Sequence, residues 1–121
     1  MVGKVSKAKR PKRRWIGLTV SPTIQRRSEL AEIFASSSFS AFDLKLYDFH
    51  SPESLEAKQF RARHEQLDDV GVAIIRVLLS EYEELRGLLQ PGKENVVASM
   101  TSSGKIRNVR ERLGLTKPSR K

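Results

Sequence analysis

The feature that most constrains the fold is a run of apolar, mostly β-branched residues near the middle of the chain. It extends from Val70 to Leu79 and contains one charged residue, Arg76. Such a run predicts a central β-strand that helix covers on at least one face, because a strand with a solvent-exposed face alternates polar and apolar side chains. With 121 residues, the chain suits one compact domain built around this strand.

Two strands and a helix are predicted before the central strand. Residues 15–20 are rich in β-branched and aromatic side chains, and the Ser21-Pro22 pair suits the start of a following helix. Residues 42–47 alternate apolar and polar side chains, which predicts a second strand with one wet face. Residues 50–69 are mostly polar and are interpreted as an insertion or long loop, with room for a short helix at residues 53–63.

Beyond the central strand, the sequence predicts a helix, a fourth strand and a C-terminal helix. Ser80 and Glu83 have the spacing of a capping box, and the Pro91-Gly92 pair would end the helix that begins there. Residues 96–100 predict the fourth strand. The apolar residues expected on one face of the C-terminal helix are Ile106, Val109 and Leu113.

The resulting order, βαββαβ followed by a helix, is typical of the α/β (α+β) class and of an RRM-like or ferredoxin-like sandwich. In that fold the helices pack on one face of an antiparallel sheet and the other face is open. We interpret residues 1–13 as a basic N-terminal arm, residues 14–114 as the α/β domain and residues 115–121 as a basic C-terminal tail.

Basic residues are concentrated at the two ends of the chain. The 23 lysines and arginines exceed the 14 aspartates and glutamates, which gives a formal charge of +9. Residues 1–14 hold seven basic and no acidic residues, and residues 104–121 hold seven basic residues and Glu111, so residues 15–103 are net negative. This distribution predicts that both ends contact a polyanion such as RNA and that the body faces a protein partner.

The sequence lacks residues that several function classes need. The absence of cysteine excludes disulfides and thiolate chemistry and favours an intracellular location. No apolar run reaches the roughly 18 residues that a membrane span needs. His50 and His64 lie in polar segments without metal-ligand spacing, and there is no Walker or GxGxxG sequence. We therefore predict no catalytic constellation in this chain and no cofactor.

The start of the C-terminal helix is the first candidate site. Backbone N–H groups and the positive end of the helix dipole would join basic side chains there at a phosphate. The alternative is a serine–glycine turn that caps a surface helix with solvated charges. The residues predicted to bind RNA at this site are Ser103, Lys105, Arg107, Arg110 and Arg112.

The N-terminal arm is the second candidate site, with Lys12, Arg13 and Arg14 as predicted RNA contacts. Trp15 follows them and has two interpretations, stacking on a base or packing at the sheet edge. Packing is favoured because Trp15 begins an apolar strand. Other aromatic residues are expected in core and partner contacts, since the central strand lacks the RNP1 aromatic pattern. They are Phe39, Phe42, Tyr47 and Phe49.

Three stretches resemble the protein component 2 family of archaeal and eukaryotic ribonuclease P, also called the Pop-five/Rpp-fourteen family. Residues 13–20 (RRWIGLTV) look like its arginine–tyrosine–isoleucine opening, and residues 71–77 (GVAIIRV) look like its glycine–isoleucine–valine–arginine strand. Residues 103–107 (SGKIR) look like its near-terminal serine–glycine–threonine–isoleucine motif, with Lys105 at the threonine position. Val77 stands where the family often has a cysteine.

The resemblance implies a non-catalytic subunit of ribonuclease P, in which the RNA itself removes 5′ leaders from precursor tRNA. The implied partners are ribonuclease P RNA, protein component 3 and other ribonuclease P proteins, with precursor tRNA contacted indirectly. Mg²⁺ is expected on the RNA rather than on this chain. The implied location is the cytoplasm of an archaeon or the nucleus of a eukaryote.

Two other functions remain alternatives. A ribosomal or mitoribosomal protein that binds rRNA would carry similar basic ends on a small α/β body. An acylphosphatase-like enzyme on the same sandwich is disfavoured, because the turn after the first strand lacks the glycines of a phosphate-cradling loop.

Overall fold

The computed structural model describes residues 12–36, 38–64, 69–89 and 96–115. Within these ranges the strands are β1 (Arg13–Val20), β2 (Lys45–His50), β3 (Gly71–Leu78) and β4 (Val97–Ser103). The α-helices are α1 (Arg27–Ser36), α2 (Leu55–His64), α3 (Leu79–Leu88) and α4 (Ile106–Leu113). One turn of 3-10 helix, Ser38–Ala41, precedes β2.

The strands form one antiparallel sheet in the order β2-β3-β1-β4. β3 and β1 are internal and pair in regular register, with Ile16 opposite Ile75. The edge strands are less regular, because the register shifts at Tyr47 in β2 and at Met100 in β4, as in a β-bulge. This antiparallel α+β arrangement is the predicted fold class and is compatible with a ferredoxin-like sandwich.

One face of the sheet packs against α1 and α3. Side chains at alternate positions of β1 and β3 point to this face, because successive residues of a strand face opposite ways. The main buried side chains of this first core are Ile16, Leu18, Ile75 and Val77 from the sheet, Leu30 and Phe34 from α1, and Leu85 from α3.

The other face of the sheet is covered by α2 and α4, so the prediction of an open face is wrong. Val72 and Ile74 point to this side and pack in a second core. Residues 50–69, interpreted as an insertion or long loop with room for a short helix at residues 53–63, do contain a helix there. It is α2, and its Ala57 and Phe60 are fully buried in that core. The other helix of this core, α4, contributes Val109 and Leu113.

The C-terminal helix was correctly predicted, and it packs very closely on the sheet. A Cβ atom on Gly17 of β1 would lie 2.8 Å from Cδ1 of Leu113, which is fully buried. The helix ends at Gly114, whose φ of 80° is left-handed and suits glycine. The Leu115 N–H then donates to the Arg110 carbonyl oxygen (2.9 Å), which turns Leu115 into the second core.

The predicted start of the first helix at Ser21 and Pro22 is wrong. The Ser21 carbonyl oxygen accepts a hydrogen bond from the Ile24 N–H (3.0 Å), and its hydroxyl accepts one from the Thr23 N–H (3.2 Å). Serine favours such local turns as readily as it caps helices. The chain therefore makes a closed turn before the helix begins.

The first helix begins at Arg27 and is capped from within its first turn. The Glu29 carboxylate accepts hydrogen bonds from the N–H groups of Gln25 (2.8 Å) and Arg26 (3.1 Å). These two donors hold the pKa of the exposed Glu29 carboxyl below its usual value, because they favour the charged form.

The predicted capping box of α3, formed by Ser80 and Glu83, is also wrong. α3 begins at Leu79 directly after β3, with Leu78 as its N-cap and no side-chain hydrogen bond at the cap. The Leu79 N–H donates to the Lys12 carbonyl oxygen instead (2.8 Å). Ser80 therefore lies inside the first turn, and Glu83 forms an exposed ion pair within the helix.

The second strand begins three residues later than predicted, after the 3-10 turn in which the Phe42 N–H donates to the Phe39 carbonyl oxygen (3.0 Å). Phe39 is buried, and Phe42 and Phe49 pack against the first core, as expected for core aromatic residues. The predicted helix end at Pro91-Gly92 lies outside the described residues, as do residues 1–11 and 116–121 of the terminal segments.

The contribution of α2 to the second core can be measured with two substitutions in one helix. Phe60→Ala is expected to lower the free energy of unfolding by about 3–5 kcal/mol, because a fully buried ring is lost. Leu55→Ala, at a side chain that is 66% exposed, is expected to change it by less than about 0.5 kcal/mol. Chemical denaturation of both variants tests this, and equal effects would contradict the second core.

Candidate nucleic-acid interface

Ser103 forms the junction between β4 and α4. Its hydroxyl accepts hydrogen bonds from the Lys105 N–H (3.2 Å) and from Nδ2 of Asn108 (3.2 Å). The side chain is therefore turned inward, and the residue is only 8% exposed. Lys105 is the N-cap of α4 and makes no side-chain hydrogen bond at the cap. The serine thus shapes the junction, while the lysine side chain is exposed beside the helix start.

The four basic residues of α4 and its N-cap differ in their surroundings. Lys105 and Arg107 are exposed and lie off the buried side of the helix. Arg112 is also exposed, but its Nη1 donates to the Ser102 carbonyl oxygen (2.7 Å) and to Oγ1 of Thr101 (3.3 Å). Arg112 therefore links α4 to the end of β4 at the edge of the sheet.

Arg110 is bound to an acidic side chain of β2. Its Nε lies 2.9 Å from Oδ2 of Asp48, and its Nη2 lies 3.2 Å from Oδ1. The side chains of Arg110 and Asp48 are 26% and 21% exposed, so the pair is largely removed from water. This two-point contact neutralises the charge of Arg110 and ties α4 across the second face of the sheet.

The three arm residues do not share one surface. Lys12 and Arg13 are exposed, but Arg14 points to the face that carries α3. Its guanidinium lies over the Tyr82 ring (5.0 Å to the centroid), and its Nη2 donates to Oγ of Ser102 (3.4 Å). Nε of Arg14 is buried and has no hydrogen-bond partner among the described residues.

The arm and the start of α4 lie at the same end of the sheet. β4 runs antiparallel to β1, so Trp15 near the start of β1 is opposite Ser103 at the end of β4. The structure therefore brings together two basic segments that are about 90 positions apart in the sequence. The exposed basic residues of the arm and of the start of α4 are Lys12, Arg13, Lys105 and Arg107.

The sequence analysis missed a second group of residues, which lies on the face of the sheet that α2 and α4 cover. We call it the aromatic–basic cluster, and its members are Trp15, Lys45, Tyr47 and Arg76. The Trp15 and Tyr47 rings meet edge to face, with centroids 4.6 Å apart and planes at 88°. Nη1 of Arg76 donates to the Tyr47 hydroxyl (3.1 Å). Nζ of Lys45 lies 5.7 Å from the centroid of the same ring.

The sequence held one signal for this cluster, the single arginine within an otherwise apolar central strand. Trp15 does pack against the second core, as predicted, although β1 is an internal strand rather than an edge. Tyr47 was assigned to core or partner contacts, and Lys45 and Arg76 received no functional role. Their proximity depends on strand pairing, which residue types alone do not specify.

The described residues contain no group of three or more histidine, aspartate or glutamate side chains that could hold a metal ion. The two histidines make local contacts, His50 with Glu56 (3.8 Å) and His64 with the Arg112 carbonyl oxygen (2.9 Å). None of the helices in the described ranges has the length and apolar character needed to cross a bilayer.

The Arg110–Asp48 contact is expected to contribute to stability. A double-mutant cycle with Arg110→Ala and Asp48→Ala should give a coupling free energy of about 1–2 kcal/mol, between the values for exposed and buried ion pairs. The exposed Arg86–Glu83 pair within α3 is the matched control and should couple by less than about 0.5 kcal/mol. Urea unfolding of the two sets of variants measures both, and equal coupling would contradict a special role for Asp48.

No protein-family model matches the chain, and no curated protein matches it significantly.

Proposed function

We propose that this chain is a non-catalytic, RNA-binding protein subunit of ribonuclease P. In this proposal the RNA carries out the removal of 5′ leaders from precursor tRNA and binds the Mg²⁺, and the protein supports the folded RNA. Contacts to precursor tRNA are indirect. The proposal combines the sequence resemblance with the position of the exposed basic residues.

The observation that supports the proposal most directly concerns residues 103–107, the stretch that resembles the family's near-terminal motif. They form the junction at the start of α4, where Lys105 and Arg107 are exposed beside a helix N-terminus. Backbone N–H groups at a helix start favour an anion, and two nearby cations add to that field. The arm residues Lys12 and Arg13 extend the same basic end of the molecule.

The proposed partners are those that the family resemblance implies, and the division of charge along the chain fits them. The basic ends suit the RNA, whereas the net negative body suits contact with protein component 3 and other ribonuclease P proteins. We place the assembly in the cytoplasm if the source is archaeal and in the nucleus if it is eukaryotic.

Sequencing the RNA that crosslinks to the tagged full-length protein in its native cells tests the identity of the RNA. Recovery of ribonuclease P RNA, together with stimulation of precursor tRNA cleavage on reconstitution, supports the proposal. Recovery of rRNA and sedimentation with ribosomal subunits would overturn it in favour of the ribosomal alternative.

The exposed basic residues at the start of α4 are expected to set the salt dependence of RNA binding. Lys105→Gln and Arg107→Gln should each lower the slope of log Kobs against log salt concentration by about one unit or less. Arg110→Gln should lower it less, because Asp48 already balances that charge. Arg86→Gln on the opposite face of the sheet is the control. Filter binding over a salt series measures the slopes, and unchanged slopes for Lys105→Gln and Arg107→Gln would contradict this surface.

A further inference from the structure

The aromatic–basic cluster contains a half-buried arginine without a carboxylate partner. Arg76 lies on the internal strand β3, and its guanidinium contacts the hydroxyl and ring of Tyr47. Among the described residues neither Arg76 nor Lys45 forms an ion pair, since the nearby Asp48 is bound to Arg110. A partly desolvated cation is costly unless it meets an anion. The cluster is thus suited to an anionic ligand.

The cluster is continuous with the proposed RNA-contacting end of the sheet. Lys45 is the register partner of Arg76, Arg76 is the partner of Trp15, and Trp15 is the partner of Ser103. These four positions form one row across all four strands, and the strand spacing of about 4.8 Å gives the row a length of about 14 Å. The row ends at Ser103, next to the exposed Lys105. The aromatic–basic cluster therefore lies at the same end of the sheet as the start of α4.

The aromatic pair adds a second kind of contact. Trp15 and Tyr47 stand at right angles, and each keeps part of its surface exposed although Trp15 also packs on the second core and Lys45 and Arg76 lie over the Tyr47 ring. We call the angle between the two rings the aromatic corner. An unpaired base can enter such a corner and stack on an aromatic face, whereas the bases of a duplex are already stacked on their neighbours. Lys45 and Arg76 lie close enough to the corner to bind the phosphate of the same nucleotide.

We propose that the aromatic–basic cluster binds an unpaired RNA nucleotide, with its base against Trp15 and Tyr47 and its phosphate at Arg76 and Lys45. This inference rests on the proposed RNA-binding function and specifies the form of RNA that this surface recognises. A duplex binds to the basic residues of α4 and the arm but leaves the aromatic corner empty.

Trp15 is the only tryptophan of the chain, so its fluorescence reports directly on the corner in the unmodified protein. We expect a single-stranded oligoribonucleotide to quench this fluorescence and a duplex of equal length to quench it far less at equal saturation, because only an unpaired base can stack on the ring. Quenching by a polyglutamate of similar charge would indicate a purely electrostatic response. Equal quenching by single strand and duplex, or none by either, would overturn the inference.

Tyr47 variants separate stacking from charge. Tyr47→Leu removes a ring and should weaken single-strand binding about tenfold, with an unchanged salt slope, because stacking does not release counterions. Tyr47→Phe keeps the ring and is the matched control, expected to bind within about twofold of the wild type. Arg76→Gln should lower the salt slope by about one unit or less. Urea unfolding of each variant verifies that it keeps its fold, because the emission of Trp15 itself depends on the neighbouring Tyr47 ring.

The outcomes distinguish this inference from the proposed function. One outcome overturns the aromatic corner alone. In it, RNA binds in a salt-sensitive way, single strands do not quench selectively, and Tyr47→Leu binds as tightly as Tyr47→Phe. Failure of single strands, duplexes and ribonuclease P RNA to bind even at low salt overturns the RNA-binding function together with the corner.

Discussion

The fold depends on the burial of β3 on both faces. Residues 71–75 are fully enclosed, and their side chains alternate between the core under α1 and α3 and the core under α2 and α4. Both faces of a sheet with such a strand need cover. Without α2 and α4, Val72 and Ile74 would be exposed to water, and without α1 and α3, Ala73 and Ile75 would be. The helix after β2 and the C-terminal helix are therefore required by the same strand that dominates the sequence. The packing of α4 on β3 and β1 therefore also fixes where its basic side chains lie.

The sequence predicted the class of the fold and most of its elements, but not how many layers it has. An apolar run such as residues 71–77 indicates coverage without specifying one face or both. The sequence left room for a short helix at residues 53–63, where α2 lies, but the segment was interpreted as a loop because the buried residues of α2 are Ala57 and Phe60, a sparse apolar pattern. The predicted helix starts at Ser21 and Ser80 were wrong because serine also occurs in turns and within helices. Tertiary hydrogen bonds decide which of these positions a given serine occupies.

The candidate site was predicted unevenly for a related reason. Residue type identifies a cation, but its partner is set by tertiary contacts. Four basic residues of α4 and its N-cap look equivalent in the sequence, yet Arg110 is neutralised by Asp48 and Arg112 is hydrogen-bonded to the end of β4. Of these four residues, Lys105 and Arg107 are exposed without a described side-chain partner, so their charges act on the solvent unscreened by an ion pair. The formal charge of +9 therefore overstates the cationic surface, and ion pairs across the fold decide which charges can attract a polyanion.

The register shift at Tyr47 connects the ion pair with the aromatic–basic cluster. In a regular strand Tyr47 and Asp48 would point to opposite faces. The extra residue lets both reach the side of α4, so that Asp48 contacts Arg110 while Tyr47 meets Trp15 and Arg76. The register shift thus brings Asp48, which would face the first core in a regular strand, to the side of Tyr47, where Arg110 binds it. The ion pair between Asp48 and Arg110 therefore depends on this departure from a regular strand, and it leaves Arg76 with Tyr47 rather than with a carboxylate.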